Sequence, residues 1–213
     1  MEILRKVMGP LETNSYLLAI GSEAVVIDPG FPRESVELAE YILEKGYKVK
    51  YIIATHGHFD HVLGVKSFRD RLGYKPQFLI HINDVELLAK AGRSLEKYFN
   101  IFIEPEKPDK LLFGGESFLV GRVKIEIIHT PGHTRGSICI YLEEKGVLFT
   151  GDTLFRGTIG RLDLPESSIE LFSRSIKKIF GLPPSTRIYP GHGDESTLEN
   201  ELEKNQYVKS FIG

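Results

Sequence analysis

The chain has 213 residues, a net charge of −2, 41% hydrophobic residues and 26% charged residues. This length fits one domain, and we predict a single domain over residues 1–213 made of two packed halves, at about 1–100 and 115–205. The near-neutral charge argues against a nucleic-acid partner or an anionic membrane surface. The N-terminus lacks an apolar signal segment, and no apolar run approaches the roughly 20 residues that span a bilayer, so we expect a cytoplasmic protein.

Short apolar runs alternate with helical patterns in the first half of the chain. Runs bounded by turn residues predict strands at residues 2–8, 14–20, 24–27 and 51–54. Apolar residues at helical spacing predict helices at 33–45, 61–71 and 84–100. The first of these helices is closed by Gly46, a residue type that commonly follows a helix C-terminus.

The second half repeats the mixture of strands and helices. Strands are predicted at 117–120, 124–128, 137–142, 147–150 and 187–189, and helices at 166–180 and 195–209. The one cysteine, Cys139, lies in an apolar run and is expected to be a buried structural thiol. Two successive sets of strands and helices predict a layered α/β protein with two sheets in the middle.

The strongest local signal is the run Thr55-His56-Gly57-His58-Phe59-Asp60-His61, which directly follows the predicted strand at 51–54. These side chains cannot all point the same way on a straight helix, but a tight loop after a strand can arrange them around two metal ions. Imidazole and carboxylate ligands suit Zn, Fe and Mn, and the run lacks the thiolates that are typical of closed structural zinc sites.

Three further loops each place one ligand-type residue directly after a glycine, behind a predicted strand: His133, Asp152 and His192. A single histidine at a strand end is more often structural than a ligand, but four such loops in one chain are hard to explain that way. We therefore predict two divalent metal ions, Zn²⁺ first with Fe or Mn as alternatives. The predicted metal ligands are His56, His58, Asp60, His61, His133, Asp152 and His192. Two histidines fall outside this set: His81 is expected to be a packed or surface residue, and His129 a structural residue or a support for the ligands.

The motif His56-x-His58-x-Asp60-His61, followed in order by His133, Asp152 and His192, resembles the metallo-β-lactamase-fold hydrolases over nearly the whole chain. The resemblance implies a four-layered αβ/βα sandwich with the metals at one edge of the two sheets. It also implies that His56, His58 and His133 hold one metal, that Asp60, His61 and His192 hold the second, and that Asp152 bridges the two.

Within that family, the segments 10–14, 130–137 and 151–155 look closest to glyoxalase II, the hydroxyacylglutathione hydrolases, and to its shorter bacterial relatives. This resemblance implies hydrolysis of a thioester or related acyl bond of a small acyl-thiol by a hydroxide shared between the metals, with Asp60 and Asp152 as catalytic residues. Arg161 matches a basic substrate-contacting position, although a surface salt bridge explains it almost as well. Two tyrosines common in these enzymes are missing: Asp163 occupies the place of one, and none follows shortly after His192, where the sequence is Gly193-Asp194-Glu195-Ser196. The reaction type therefore transfers better than the substrate.

Other functions remain open at this level. A mononuclear iron persulfide dioxygenase of the same fold also carries the histidine-rich run, and a lactonase or phosphodiesterase would use the same metals. A role in which the ligands only stabilise the fold predicts a closed coordination shell, whereas seven ligands shared by two metals leave positions for water. No serine-hydrolase elbow, phosphate-binding loop or dinucleotide fingerprint is present in the sequence.

Overall fold

A computed structural model describes residues 1–212 of the chain. In chain order the strands are β1 (Glu2–Met8), β2 (Thr13–Ile20), β3 (Glu23–Ile27), β4 (Lys48–Ile53), β5 (Gln77–His81), β6 (Lys110–Leu112), β7 (Ser117–Val120), β8 (Val123–His129), β9 (Ile138–Leu142), β10 (Val147–Gly151), β11 (Leu154–Phe155), β12 (Thr158–Ile159), β13 (Arg187–Pro190) and β14 (Ser196–Thr197). The helices are α1 (Pro32–Lys45), α2 (Phe59–Val62), α3 (Val65–Leu72), α4 (Val85–Phe99), α5 (Ile169–Ile179), α6 (Leu198–Lys204) and α7 (Gln206–Ile212).

Two six-stranded sheets form the centre of the molecule, with strand orders β1-β2-β3-β4-β5-β6 and β14-β13-β10-β9-β8-β7. In the first sheet β3, β4, β5 and β6 run parallel, because helices connect them. In the second sheet only the β10–β13 pair is parallel. The carboxyl ends of β4, β8, β10 and β13 precede the four loops that carry the predicted ligands.

Three hydrophobic cores separate four layers. Alternate residues of the first sheet, such as Leu17 and Phe78, pack against α1, α3 and α4. The opposite face of that sheet packs against the second sheet, through residues such as Val25 and Ile140. The outer face of the second sheet packs against α5, α6 and α7, as Tyr141 does. Side chains that alternate between the two faces of each strand thus fill two interfaces at once. The predicted four-layered αβ/βα sandwich is confirmed.

Several predicted elements differ in their limits. The helix predicted at 61–71 is two helices, α2 and α3, and the N–H of Gly64 between them donates to the Pro29 carbonyl at 2.9 Å. The helix predicted at 195–209 is also two, with the short strand β14 before them, and α5 begins at Ile169, three residues later than predicted. The edge strand β6 was not predicted, since only three residues of it pair with β5.

Cys139 on β9 is fully buried, as expected. Burial raises the pKa of this thiol to about 11. The neighbouring Thr130 and Thr153 hydroxyls act in the opposite direction, but the effect of burial is larger. Among residues 1–212, no helix has the length and apolar character needed to cross a membrane.

Candidate metal centre

Three imidazoles converge in what we call the first cluster: His56, His58 and His133. His56 follows β4, His58 precedes α2, and His133 lies in the loop after β8. His58 Nδ1 lies 3.0 Å from His56 Nε2 and 3.0 Å from His133 Nε2. The loop after β4 and the loop after β8 therefore meet at this point.

Asp60, His61 and His192 form the second cluster. His61 Nε2 lies 3.5 Å from Asp60 Oδ2, and His192 Nε2 lies 3.3 Å from the same oxygen. The Thr13 hydroxyl donates a hydrogen bond of 2.7 Å to that carboxylate oxygen and fixes its position. The ring of His61 is completely buried, whereas that of His192 is 27% exposed and faces the solvent side.

Asp152, at the end of β10, lies between the two clusters. Its Oδ1 is 3.4 Å from His61 Nε2 in the second cluster. Its Oδ2 is 3.6 Å from His133 Nε2 in the first cluster and 3.7 Å from His192 Nε2 in the second. The structure therefore brings all seven predicted ligands together, with Asp152 between the two clusters.

The protons of these rings point away from the clusters. His58 Nε2–H donates to Glu166 Oε1 at 2.6 Å, and His133 Nδ1–H donates to the Arg161 carbonyl at 2.9 Å. A neutral imidazole carries one N–H, so His58 Nδ1 and His133 Nε2 present lone pairs to each other across 3.0 Å. Two lone pairs at that distance repel unless a cation lies between them.

Two buried atoms at the second cluster have no hydrogen-bond partner, His61 Nε2 and Asp152 Oδ1. Buried polar atoms are nearly always satisfied, and a cation held between these two facing atoms would satisfy both. The described residues supply three groups of nitrogen and oxygen atoms that could each hold a metal ion, and all seven residues belong to at least one group. Donors of this type suit divalent cations, and the site fits them.

The electrostatics of the two clusters are opposite. Burial, together with the neighbouring imidazoles, lowers the pKa of His56 well below its usual value, and burial also lowers that of His133. Burial acts against the charged form of His61 as well, but the carboxylates of Asp60, Asp152 and Asp28 outweigh it and raise its pKa to about 10. The second cluster thus demands positive charge, which a metal ion would supply, while the first offers neutral nitrogen donors.

Two buried aspartates that support the clusters were missed by the sequence analysis. Asp28 Oδ2 accepts from His61 Nδ1–H at 2.9 Å and from the Thr55 hydroxyl at 2.7 Å. Asp84 accepts from the Gly57 and Gly136 N–H groups at 2.9 and 2.6 Å, and so ties two ligand loops together. Asp28 had a signal: like the predicted ligands, it directly follows a buried strand, and it adopts a left-handed φ of 52°.

Glycine is required where β13 ends. A Cβ at Gly191 would overlap Asp152 Oδ1 and lie 2.9 Å from His61 Cε1. The backbone of this loop can therefore pass beside the clusters only without a side chain. The N–H of Gly191 also donates to the Gly151 carbonyl at 2.8 Å, which holds the two ligand loops side by side.

His81 and His129 lie outside the three metal-capable groups found in residues 1–212. Their rings stack with centroids 3.9 Å apart and an interplanar angle of 14°. His81 is buried, and its Nδ1 accepts from the Asn83 N–H at 3.2 Å, while His129 Nε2–H donates to the Arg135 carbonyl at 3.0 Å. Both contacts are packing contacts of the kind that the sequence analysis expects.

An open cavity of about 930 Å³ adjoins the clusters and is lined by ligand-type residues of both, including His58 and Asp60. Helix α4 forms one wall, and the loop from Arg161 to Glu166 forms part of another. The Arg161 guanidinium is 69% exposed and makes two hydrogen bonds to Asp163, of 2.9 and 2.8 Å. Arg161 therefore borders the cavity as expected, but a carboxylate of the chain already pairs with it.

Known proteins are similar to this chain in sequence and fold. Residues 8–192 match the family model described as the metallo-beta-lactamase superfamily. The chain belongs to this superfamily. It has the mixed α/β fold of the metallo-β-lactamase superfamily. The family match, together with the clusters of His and Asp residues, identifies it as a metal-dependent hydrolase.

Two relatives of this superfamily member are similar over most of their length. The chain is 32% identical over 215 residues to the probable metallo-hydrolase YqgX of Bacillus subtilis, with 99% of each protein covered. It is 33% identical over 189 residues to hydroxyacylglutathione hydrolase GloC of Haemophilus influenzae, with 88% of each covered.

Solved structures of the superfamily superpose closely on the chain. The BLEG-1 B3 metallo-β-lactamase gives a TM-score of 0.88 at 32% identity, covering 97% of this chain and 99% of that one. TTHA1623, solved in a di-iron-bound form, gives 0.86 at 34% identity, covering 96% and 99%. ETHE1 from Myxococcus xanthus gives 0.79 at 23% identity, covering 99% and 85%, a likeness that concerns the fold.

Proposed function

We propose that the protein is a binuclear metal-dependent hydrolase that cleaves a thioester or related acyl-thiol bond. The similarity to the hydroxyacylglutathione hydrolase GloC supports the thioester as substrate. We propose zinc as the first metal to test, with iron and manganese as alternatives, because imidazole and carboxylate ligands accept all three.

One observation carries the proposal: a single carboxylate, Asp152, faces both clusters at once. Its two oxygens lie 3.4–3.7 Å from ring nitrogens of His61, His133 and His192. A mononuclear centre at His56, His58 and His133 would leave His61 Nε2 buried without a partner. Two metal ions satisfy both the facing lone pairs of the first cluster and the orphaned atoms of the second.

When bound to His56, His58 and His133 on one side and Asp60, His61 and His192 on the other, two divalent cations supply an acidified water and polarise an acyl carbonyl. Asp60 is the residue that can accept a proton from the attacking water. Burial acts to raise the pKa of Asp60, but His61, His192 and the Thr13 hydroxyl outweigh it and hold the pKa well below its usual value. Asp60 is therefore a carboxylate at neutral pH and Thr13 keeps its Oδ2 in place.

The leaving group needs little help from the chain. A thiol has an ordinary pKa of about 8.5, so a thiolate departs near neutral pH without a separate general acid. Arg161 remains proposed as a contact for a carboxylate or another polar group of the substrate. For that contact, its bonds to the exposed Asp163 would have to be exchanged for bonds to the substrate.

The test combines metal analysis of freshly purified protein with an assay of S-lactoylglutathione hydrolysis. We expect about two metal equivalents per chain and a thioesterase activity that chelation removes and metal restores. A single iron per chain, with oxygen uptake on a persulfide and no thioester hydrolysis, would identify the dioxygenase instead. Turnover of lactones or phosphodiesters in preference to every thioester would replace the substrate class but keep the binuclear centre.

A further inference from the structure

Helix α4 forms a continuous wall of the cavity beside the metal clusters. Its residues Leu88, Ala91 and Leu95 point into the core, and the residues of the other face line the cavity. The cavity-lining residues of α4 are Glu86, Leu87, Lys90, Ser94, Lys97, Tyr98 and Phe99. They recur at helical spacing and cover about 20 Å of helix length.

The ligand loop runs along this wall. At the start of α4, the Gly57 N–H donates to Asp84 Oδ2, and a Cβ on Gly57 would lie 2.9 Å from Leu88 N. At the far end, the Phe59 ring packs on Tyr98 and Phe99, with centroid distances of 6.1 and 6.2 Å. His58 therefore lies between the two ends of the wall, and a substrate carbonyl at the clusters would extend one arm toward each end.

The two ends of the wall differ in chemistry. Lys90 and Arg135 lie near the start of α4. The Lys90 ammonium donates a hydrogen bond of 2.5 Å to Glu86. This bond and the positive charges of Lys90 and Arg135 lower the pKa of Glu86. At the other end lie three aromatic rings: Phe59, Tyr98, which is 67% exposed, and Phe99, which is 36% exposed.

Two apolar side chains from other loops, Leu11 and Leu164, also line the cavity. The Lys97 ammonium lies over the Tyr98 ring, 5.9 Å from the ring centre. Exposed aromatic side chains grouped in a cavity are typical of a binding site for an apolar group.

Resting on the proposed function, we propose that the substrate carries an apolar acyl group, which packs on the aromatic end of the α4 wall formed by Phe59, Tyr98 and Phe99. The other end of the wall, near Lys90 and Arg135, is left for the thiol part of the substrate. Because burial of apolar carbon is favourable, each buried methylene of the acyl group is expected to raise kcat/KM up to about fourfold. A small hydroxylated acyl group would leave the aromatic rings uncovered and gain little.

The experiment compares thioesters of one thiol, glutathione, that differ in the acyl group: acetyl, lactoyl, butyryl and phenylacetyl. With the metal-loaded full chain we expect kcat/KM to be about tenfold higher for butyryl and phenylacetyl than for acetyl and lactoyl. In the double variant Tyr98→Ser/Phe99→Ser the four values should agree within about twofold. Both side chains are partly exposed, so the double variant should fold, which circular dichroism and thermal unfolding would verify.

The matched control is Phe113→Ser, which removes a phenyl ring that is 63% exposed and does not line this cavity. It should keep the preference of the unmodified chain. Equal kcat/KM values across the series in the unmodified chain, or a preference that persists in the double variant, would overturn the proposal.

Binding of the product acids gives a readout that does not depend on turnover. Calorimetry on the metal-loaded chain should show tighter binding of phenylacetate than of acetate, by about tenfold, and the double variant should lose the difference. If no thioester is hydrolysed but this preference is present and is lost in the variant, the proposed function fails and the apolar subsite stands. If thioesters are hydrolysed but the acids bind equally, the subsite is refuted and the proposed function stands.

Discussion

The two clusters of the metal centre differ in their electrostatics. The first consists of three imidazoles, and burial lowers the pKa of His56 and of His133. The second combines Asp60, His61 and His192 with Asp28 behind His61, and carboxylates raise the pKa of His61 to about 10 despite burial. Proximity of ligand atoms alone therefore does not describe the centre, because carboxylates favour positive charge at His61 in the second cluster, whereas burial disfavours it at His56 and His133 in the first.

The outer partners of the two clusters differ as well. Asp28 is 2% exposed and is fixed by the Thr55 N–H and hydroxyl, both at 2.7 Å. Glu166, the partner of His58, is 25% exposed and lies on the cavity wall. The support of the second cluster is thus part of the core, whereas that of the first lies where a substrate would bind.

Removing the shared carboxylate should have the largest effect. In Asp152→Ala both clusters lose a neighbour, so we expect hydrolysis to fall by roughly 10³-fold and binding of the second metal to be mostly lost. Metal analysis and the thioester assay measure the two effects. Asp163→Asn, which removes a surface carboxylate paired with Arg161, is the control and should keep both metals. Full activity in Asp152→Ala would refute the bridging role.

A methyl group between the clusters should be nearly as damaging. The Cβ of Gly191→Ala would overlap Asp152 Oδ1, so the loop must move away from His61 and both metals should bind weakly. Gly193→Ala is the matched control: its φ of 75° costs roughly 1 kcal/mol of stability, but no atom lies within 4 Å of the new Cβ. Equal metal binding by the two variants would show that the close approach at Gly191 is unimportant.

The buried support of the second cluster can be tested on its own. Asp28→Asn keeps the size of the side chain but removes the charge that His61 Nδ1–H donates to. We expect the affinity for the second metal to fall about 10- to 100-fold, while the first metal is retained. Stepwise titration of the metal-free protein with Co²⁺, followed by its absorption spectrum, separates the two steps. The control is Asp70→Asn, on the surface beside Lys66, which should leave both binding steps unchanged. If Asp28→Asn also leaves both steps unchanged, Asp28 does not support the second metal.

The support of the first cluster should be weaker because it is partly solvated. Glu166→Gln retains a hydrogen-bond acceptor for His58 Nε2–H but loses the charge, so the affinity for the first metal should fall by about tenfold or less. The same Co²⁺ titration measures it, with Glu86→Gln as control, since that carboxylate lines the cavity but pairs with Lys90. A change confined to the second metal would assign Glu166 to the wrong cluster.

These residues also show where sequence reasoning succeeds and where it ends. His56, His58, Asp60 and His61 stand within six residues behind a buried strand, the first two in a loop and the last two on the short helix α2, so their proximity follows from the chain itself. His133, Asp152 and His192 could be added because each follows a glycine at a strand end, and the structure brings them all together. Their action as ligands stays a prediction.

The supporting residues needed information that only the folded chain contains. Asp28 meets Thr55 because β3 and β4 pair in parallel, and Glu166 reaches His58 across 108 residues of sequence. The layered α/β class was predictable from the alternation of strands and helices, whereas the break at Gly64 accompanies a hydrogen bond from its N–H to the distant Pro29 carbonyl. Local patterns identify elements and loops, but pairing between elements decides which side chains share a site.

The smallest effect on the metal centre is expected from a histidine that lies outside both clusters. His81→Ala removes a buried ring that stacks on His129 and accepts a hydrogen bond from the Asn83 N–H. The lost packing should lower the free energy of unfolding by about 1–3 kcal/mol, measured by urea denaturation, because a cavity is left in a tightly packed region. Metal content should stay the same, since His81 belongs to none of the three metal-capable groups found in the part of the chain that the structure describes. Loss of one metal equivalent would instead show that this histidine helps to hold the centre, and the division between ligand and packing histidines would have to be redrawn.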